Sequence, residues 1–308
     1  AKTSPSQGEI KGSIPFSATT RLELTRMCEL FYLYDEHILI KLRGGFTMYD
    51  KILLWWKEKN IKTDADLAEA LNGHIISFAY NSGKIENDNV TYHDTREIFE
   101  TDGVTSYTGD LRTLYELRNA KTASEYFLQC FGKHMPLSEA FIKKLQKILT
   151  MNTYDSRRWQ KGERPGTYKL GDYVTGKDEV GALAEDVPAE IQELIDDMEN
   201  VPDSKALIAA AFFHAKMENI HPFADGNGRT GRLAMNYFLV CHNHPPIVIH
   251  EEDRREYFQA LEAWDNEQDL NPLIDFLRTQ TEKTWKKQLD KADKPKRKLS
   301  LTEILSKK

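Results

Sequence analysis

Cysteine is scarce in this chain. Cys28, Cys130 and Cys241 are the only three in 308 residues. They are odd in number and far apart, so they fit neither a disulfide framework nor a paired zinc spacing, and a reducing, cytoplasmic setting is expected. Long apolar runs are also lacking. None approaches the roughly eighteen residues a membrane span needs, and residues 1–17 are a polar, flexible lead without the apolar centre of a signal peptide. An excess of positive charge is absent as well: the formal net charge is −6, which disfavours nucleic acid or an anionic membrane as partner. Internal repeats and low-complexity linkers are not found. What is there is an ordinary globular composition, 40% hydrophobic and 29% charged, enough for a sizeable core.

The apolar residues fall mostly at helical spacing. Phe141, Ile142, Leu145, Ile148 and Leu149 make one stripe. Thr63 followed by Asp66 is a capping-box pattern opening a helix through Ala65–Tyr80. Val187-Pro188 and Asn271-Pro272 open two more, because proline suits a first helical turn. Leu207 to Ile220 is apolar almost all round, and Arg229 to His242 continues as a helix after a break. The LLWWKEKN stretch at 53–60 reads as core in preference to a partner surface. One segment departs from this pattern. ERPGTYKLGDYVTGKDEV, residues 163–180, alternates aromatic, charged and β-branched residues between glycines and predicts a β-hairpin. The fold class predicted is all-α with one small hairpin. Residues 281–308 form a helical and basic tail.

The break between the two central helices carries the chemistry. HPFADGNGRTGR, residues 221–232, places His221 at a helix end, then Asp225, then Gly226-Asn227-Gly228 at the start of the next helix. Free N–H groups and the helix dipole attract anions there, and glycine lets the backbone approach them closely. Arg229 and Arg232 lie three apart on one helix face, and each has a fork that matches phosphate oxygens. A carboxylate beside phosphates is a Mg²⁺ ligand by type, which singles out Asp225. His221, with an ordinary pKa near neutrality, suits a general base. A single Gly-Asn-Gly is usually only a turn and paired arginines usually a solvated face. Eight specified positions at roughly 5% each coincide by chance on the order of once in 10¹⁰ placements. A zinc reading of His214, Glu218 and His221 fails, since the His-Glu-x-x-His order is missing and arginines crowd the site.

His221, Phe223, Asp225, Gly226, Asn227, Gly228, Arg229 and Arg232 together resemble the full signature of the Fic family. The resemblance extends over about residues 65–280, with a catalytic domain at 111–280 and an N-terminal helical region at 18–110. It implies a Fic-type helical bundle that transfers AMP from ATP to a Ser, Thr or Tyr hydroxyl of a protein, itself included, with Mg²⁺ as cofactor. His221 would be the base and Asp225 the metal ligand. The phosphates would lie on Gly226, Asn227, Gly228, Arg229, Thr230, Gly231 and Arg232, and Phe223 would anchor the loop. Tyr257 or Phe258, and Asn266, match the positions that line adenine and ribose. Thr167, Tyr168 and Lys169 fall in the flap that receives the target strand. A homo-oligomer is compatible with the sequence.

SGKIEN, residues 82–87, resembles the family's inhibitory motif at Ser82, Glu86 and Asn87, within a helix at about 68–87. This implies that Glu86 pairs with Arg232 and takes it from the γ-phosphate. Three rival readings stay open. One is removal of AMP, with Glu86 aligning water. Another is a different nucleotidyl or phosphoryl transfer, which Gly228 and Arg229 disfavour. The third is an ATP-sensing regulator without catalysis.

Overall fold

The computed structural model describes residues 47–105, 107–173 and 181–292. The segment from Thr47 onward forms its own compact unit. Thr47 closes a capping box with Asp50 and starts α1, Met48–Glu58. The predicted box at Thr63 and Asp66 is present and starts α2, Asp64–Ala70. The helix expected to run on to Tyr80 stops there. Gly73 takes a left-handed φ of 81° as N-cap of a new helix, α3, His74–Glu86. Then follow α4, Tyr92–Thr101; α5, Leu111–Gly132; α6, Glu139–Leu149; and the short α7, Ser156–Gln160. After these come α8, Val187–Asp197; α9, Ala206–Ile220; α10, Asn227–Cys241; α11, Arg254–Glu267; and α12, Asn271–Ala292.

The helices α9 and α10 form the centre. An all-round apolar helix is a buried one, and α9 buries Leu207, Ile208, Ala210, Phe213 and Met217 along its length. α10 packs along it. The α6 stripe behaves as predicted: Phe141, Ile142, Leu145 and Leu149 are buried, with Ile148 at the edge. Trp56 is 3% exposed and packs on Trp285 with ring centroids 5.0 Å apart, so the 53–60 stretch contributes to the core, while Leu54 stays outside. α3 lies against α4, α5 and α10, and its buried face includes Ala79, Asn81, Ser82 and Ile85.

The expected hairpin is not shown among the described residues. Residues 163–173 form turns, and among the described residues no strand is made; residues 174–180 lie outside them. The N–H groups that a ladder needs go elsewhere. Lys169 N–H donates to Pro222 O at 2.9 Å. Leu170 N–H donates to Glu163 Oε1 at 2.9 Å, and Tyr173 Oη donates to the same oxygen at 2.6 Å. Glu163 is a buried acceptor that the alternating pattern conceals. The lead at 1–17 and the end of the tail, 293–308, also lie outside the described residues.

Candidate active site

His221 ends α9 in a left-handed conformation, φ 49° and ψ 61°, with its N–H on Met217 O. This single left-handed residue closes the helix and turns the chain. Phe223 then drives into the core, fully buried, 5.7 Å from the Tyr168 ring. Asn227 clamps this turn from the far side. Its Oδ1 accepts Phe223 N–H at 2.9 Å, and its Nδ2 donates to Phe223 O at 2.7 Å. Gly226 caps α10 at φ 82°, and a Cβ there would strike Thr150. Gln146 braces the same turn, donating to Asp225 O at 2.8 Å while accepting Gly166 N–H at 2.6 Å. The amide of Asn227 therefore works on the loop rather than on a phosphate.

The result is an open cleft of about 1350 Å³ lined by His221, Asp225, Asn227, Gly228, Arg229 and Arg232 on one side and by Phe258, Leu261 and Asp265 on another. Its size admits a nucleoside triphosphate. His221 is held well below its ordinary pKa, at about 4, by burial first and then by the charge of Lys169; Glu86, Asp225 and the Glu218 carbonyl oppose the shift. The imidazole is therefore the neutral, proton-accepting form at neutral pH.

Arg232 is buried, and its guanidinium is fully engaged. Nη2 reaches Glu86 Oε1 at 2.8 Å and Ser82 O at 3.0 Å; Nε reaches Ser82 Oγ at 3.1 Å; Nη1 reaches Tyr257 Oη at 3.4 Å. Burial pulls the Glu86 carboxyl upward, but Arg232, Arg229 and Arg254 hold it below the usual carboxylate range. Asn87, the C-cap of α3, donates to Thr113 Oγ1 at 2.9 Å and Glu116 Oε2 at 2.8 Å.

Asp225 lies between two arginines. Arg112 Nη2 stands 2.9 Å from Oδ2, and Arg229 Nη2 stands 3.3 Å from Oδ1. Magnesium takes one or two protein carboxylates and completes its shell with phosphates and water. A single carboxylate at the head of a phosphate-type turn fits that donor set. The one group of three His, Cys, Asp or Glu close enough for a metal among the described residues, His93, Asp94 and Glu97, lies away on α4.

Several sequence assignments move. Tyr257 does not line the cleft: it is fully buried, and its hydroxyl joins His214 Nε2 at 2.6 Å to Arg232. Its neighbour Phe258 is 43% exposed and does line it. Asn266 is exposed, and the residue before it, Asp265, faces the cleft and accepts from Asn219 at 3.0 Å. The turn register of α11 decides this, and sequence spacing alone did not give it. Thr230 and Gly231 are buried where α10 meets α9, with Gly231 against the His214 ring, so neither reaches the cleft. Of the three flap residues, Thr167 is exposed, Tyr168 packs on Phe223 and Lys169 is buried. Arg112, Glu116, Glu218 and Asp265 were missed as cleft residues. Burial pushes the Glu218 carboxyl up to about 7, with Arg232 opposing.

Comparison with known proteins agrees with this geometry. The Fic/DOC family model matches residues 136–239. The chain is 34% identical over 120 residues to protein adenylyltransferase Fic of Aedes aegypti, covering 37% of this chain and 24% of that protein. It is 44% identical over 75 residues to the protein of the same name in Culex quinquefasciatus, covering 24% of this chain and 15% of that one. The chain thus spans a quarter or less of the length of these relatives. Among solved structures, a Fic domain containing signaling protein from Bacteroides thetaiotaomicron superposes with a TM-score of 0.68 at 26% identity, over 80% of this chain and 97% of that chain. Fic-1 from C. elegans shares the fold, with a TM-score of 0.66 at 20% identity, over 90% of this chain and 78% of that chain. The whole 221–232 segment lies inside the region, residues 136–239, that matches the Fic/DOC family.

Proposed function

We propose that this chain is a protein adenylyltransferase, moving AMP from ATP to a Ser, Thr or Tyr hydroxyl of a protein, and that Glu86 restrains it. The observation that carries the reading is the convergence of a neutral imidazole with an anion-binding helix start and two arginines in one cleft. The names of the relatives in the two mosquitoes point the same way.

In this reading the ATP phosphates lie on the N-terminus of α10, where Gly226 and Gly228 admit them, with Arg229 beside them and Arg232 for the γ-phosphate. Phe258, Leu261 and Asp265 receive the nucleoside. Mg²⁺ held by Asp225 would neutralise charge that builds on the phosphate oxygens. The target hydroxyl gives its proton to His221 as its oxygen bonds to the α-phosphorus. The bond from that phosphorus to the bridging oxygen of the β-phosphate breaks, and pyrophosphate leaves. Positioning and charge stabilisation carry most of such a transfer. Glu86 mimics the γ-phosphate: while it holds Arg232, the triphosphate cannot take its productive place.

Incubation with ATP labelled at either end tests the transfer. Label at the α-phosphate should become bound to protein, and label at the γ-phosphate should not. The reverse pattern would mean phosphoryl transfer, and release of AMP from a pre-modified protein without labelling would favour removal of AMP.

A further inference from the structure

Asp225 has two arginine partners, and only Arg229 comes from the 221–232 segment. The other, Arg112, stands in the first turn of α5, 113 positions away in sequence. Its Nε donates to Glu116 Oε1 at 3.1 Å, one helical turn on, and this leaves Nη2 aimed at Asp225 Oδ2, 2.9 Å away. Glu116 is itself fixed: it is 8% exposed, meets Arg229 Nη1 at 3.4 Å and accepts from Asn87 at 2.8 Å. Two carboxylates and two guanidiniums therefore close on one another as a neutral set. Arg112 is the member that can leave. Its side chain is 46% exposed, whereas those of Arg229, Glu116 and Asp225 are 9%, 7% and 14% exposed.

We propose that Arg112 is a resident cation for Asp225, occupying the carboxylate oxygen that a divalent metal would take and yielding it when a metal–nucleotide complex enters. The inference rests on the nucleotide reading of the cleft. Two consequences follow from charge alone. Without metal, Arg112 shields Asp225, so the phosphates of a bare nucleotide approach a neutralised carboxylate. With metal, Arg112 competes for the same oxygen. Removing Arg112 should therefore weaken metal-free binding and strengthen metal-dependent binding together. The ratio of the two affinities is the quantity to read. A partly exposed pair is worth a few-fold in each direction, so the ratio should rise about tenfold.

The test is the binding of a fluorescent ATP analogue, with excess Mg²⁺ and with EDTA, to the wild-type chain, Arg112→Ala, Arg112→Lys, Asp225→Asn and the double variant Arg112→Ala/Asp225→Asn. Melting temperatures establish folding. Arg112→Gln, which keeps a donor for Glu116, replaces the alanine variant if that one does not fold. Arg112→Ala should raise the ratio of the EDTA to the Mg²⁺ dissociation constant about tenfold, and Arg112→Lys should raise it less. In the Asp225→Asn background the identity of residue 112 should no longer change the ratio. An unchanged ratio in folded Arg112→Ala overturns the proposal. So does equal weakening under both conditions, which would make Arg112 a plain phosphate ligand. If the wild-type chain binds no nucleotide under either condition, the nucleotide reading itself falls, and that result is distinct from the other two.

Discussion

Replacing Glu86 by glycine removes the carboxylate that Arg232 bonds at 2.8 Å. Arg232 keeps Ser82 Oγ, Ser82 O and Tyr257 Oη, so the guanidinium stays in place while its charge becomes available. At 2.8 Å and an effective dielectric of about 20, the bare attraction is roughly 6 kcal/mol. The Glu86 side chain is 37% exposed, and solvent and lost hydration remove most of that figure. A net of about 2 kcal/mol is reasonable, which is roughly thirtyfold in rate. The assay is the time course of self-labelling from α-labelled ATP, after melting temperatures show both proteins folded. Labelling should rise by about that factor in Glu86→Gly. Arg232→Ala should erase the gain, so the double variant should match Arg232→Ala alone instead of adding two independent effects. Unchanged labelling in a folded Glu86→Gly would refute the restraint and return SGKIEN to an ordinary helix end, though the transferase reading would survive.

His221→Ala should abolish labelling while the dissociation constant for ATP stays within about threefold, since the phosphate contacts lie elsewhere; isothermal titration measures the second part. In Glu86→Gly, the acid limb of the rate against pH should fall at or below about 4, not 6.5, because burial and Lys169 keep His221 unprotonated to that point and the variant loses Glu86, which favours the charged imidazole. Gly228→Ala should weaken nucleotide binding at least tenfold, as a Cβ there would press on Glu86 Oε1 and lie 2.8 Å from Arg232 Nη1, where the phosphates must approach. Acid should also unfold the protein: His214 is held at about 3 and His244 at about 4 by burial, so from 6.5 downward the unfolded chain binds these protons and the folded one does not. Each contributes a loss of roughly 1.4 kcal/mol per pH unit over that window, with Glu218, raised to about 7, working against it above its ordinary value of 4.5. Melting temperature against pH reads the sum.

What could be read from the sequence was local. The α6 stripe, the boxes and proline starts, and the helix–turn–helix at 206–241 follow from spacings within a few residues. The break at Gly73 was missed because a helical pattern tolerates one glycine, and only the left-handed φ of 81° shows that this one ends the run. The hairpin is not shown among the described residues, and the reason there is tertiary. Alternation between glycines resembles a ladder, yet Glu163 and Pro222 take the donors. Tyr257, Phe258 and Asn266 were too close in sequence to separate by pattern. Which aromatic faces the cleft depends on the rotation of α11 against α9 and α12, which buries Tyr257, Ala260, Leu261 and Trp264 and places the Tyr257 hydroxyl on His214.

A physical reason underlies this division. Binding phosphate and taking up a proton require groups at a helix start and at the preceding helix end, so residues 221–232 suffice to specify them, and a spacing rule finds them. Those same groups, left alone, would place Arg229 and Arg232 unneutralised in a half-buried cleft, at a cost that a folded state must offset. Asp225 in the same turn meets Arg229 at 3.3 Å, but the glycines and Asn227 are committed to its shape, so the remaining neutralising carboxylates are not found there. They come instead from α3 and α5: Glu86, 146 positions from Arg232, and Glu116, with Asn87 joining the two helices. Stability of the empty site thus already demands an anion against Arg232 and one against Arg229. On the proposed reading a nucleotide would replace the first, so the Glu86 restraint would follow from this charge balance, with a strength limited to what the incoming phosphates can outcompete.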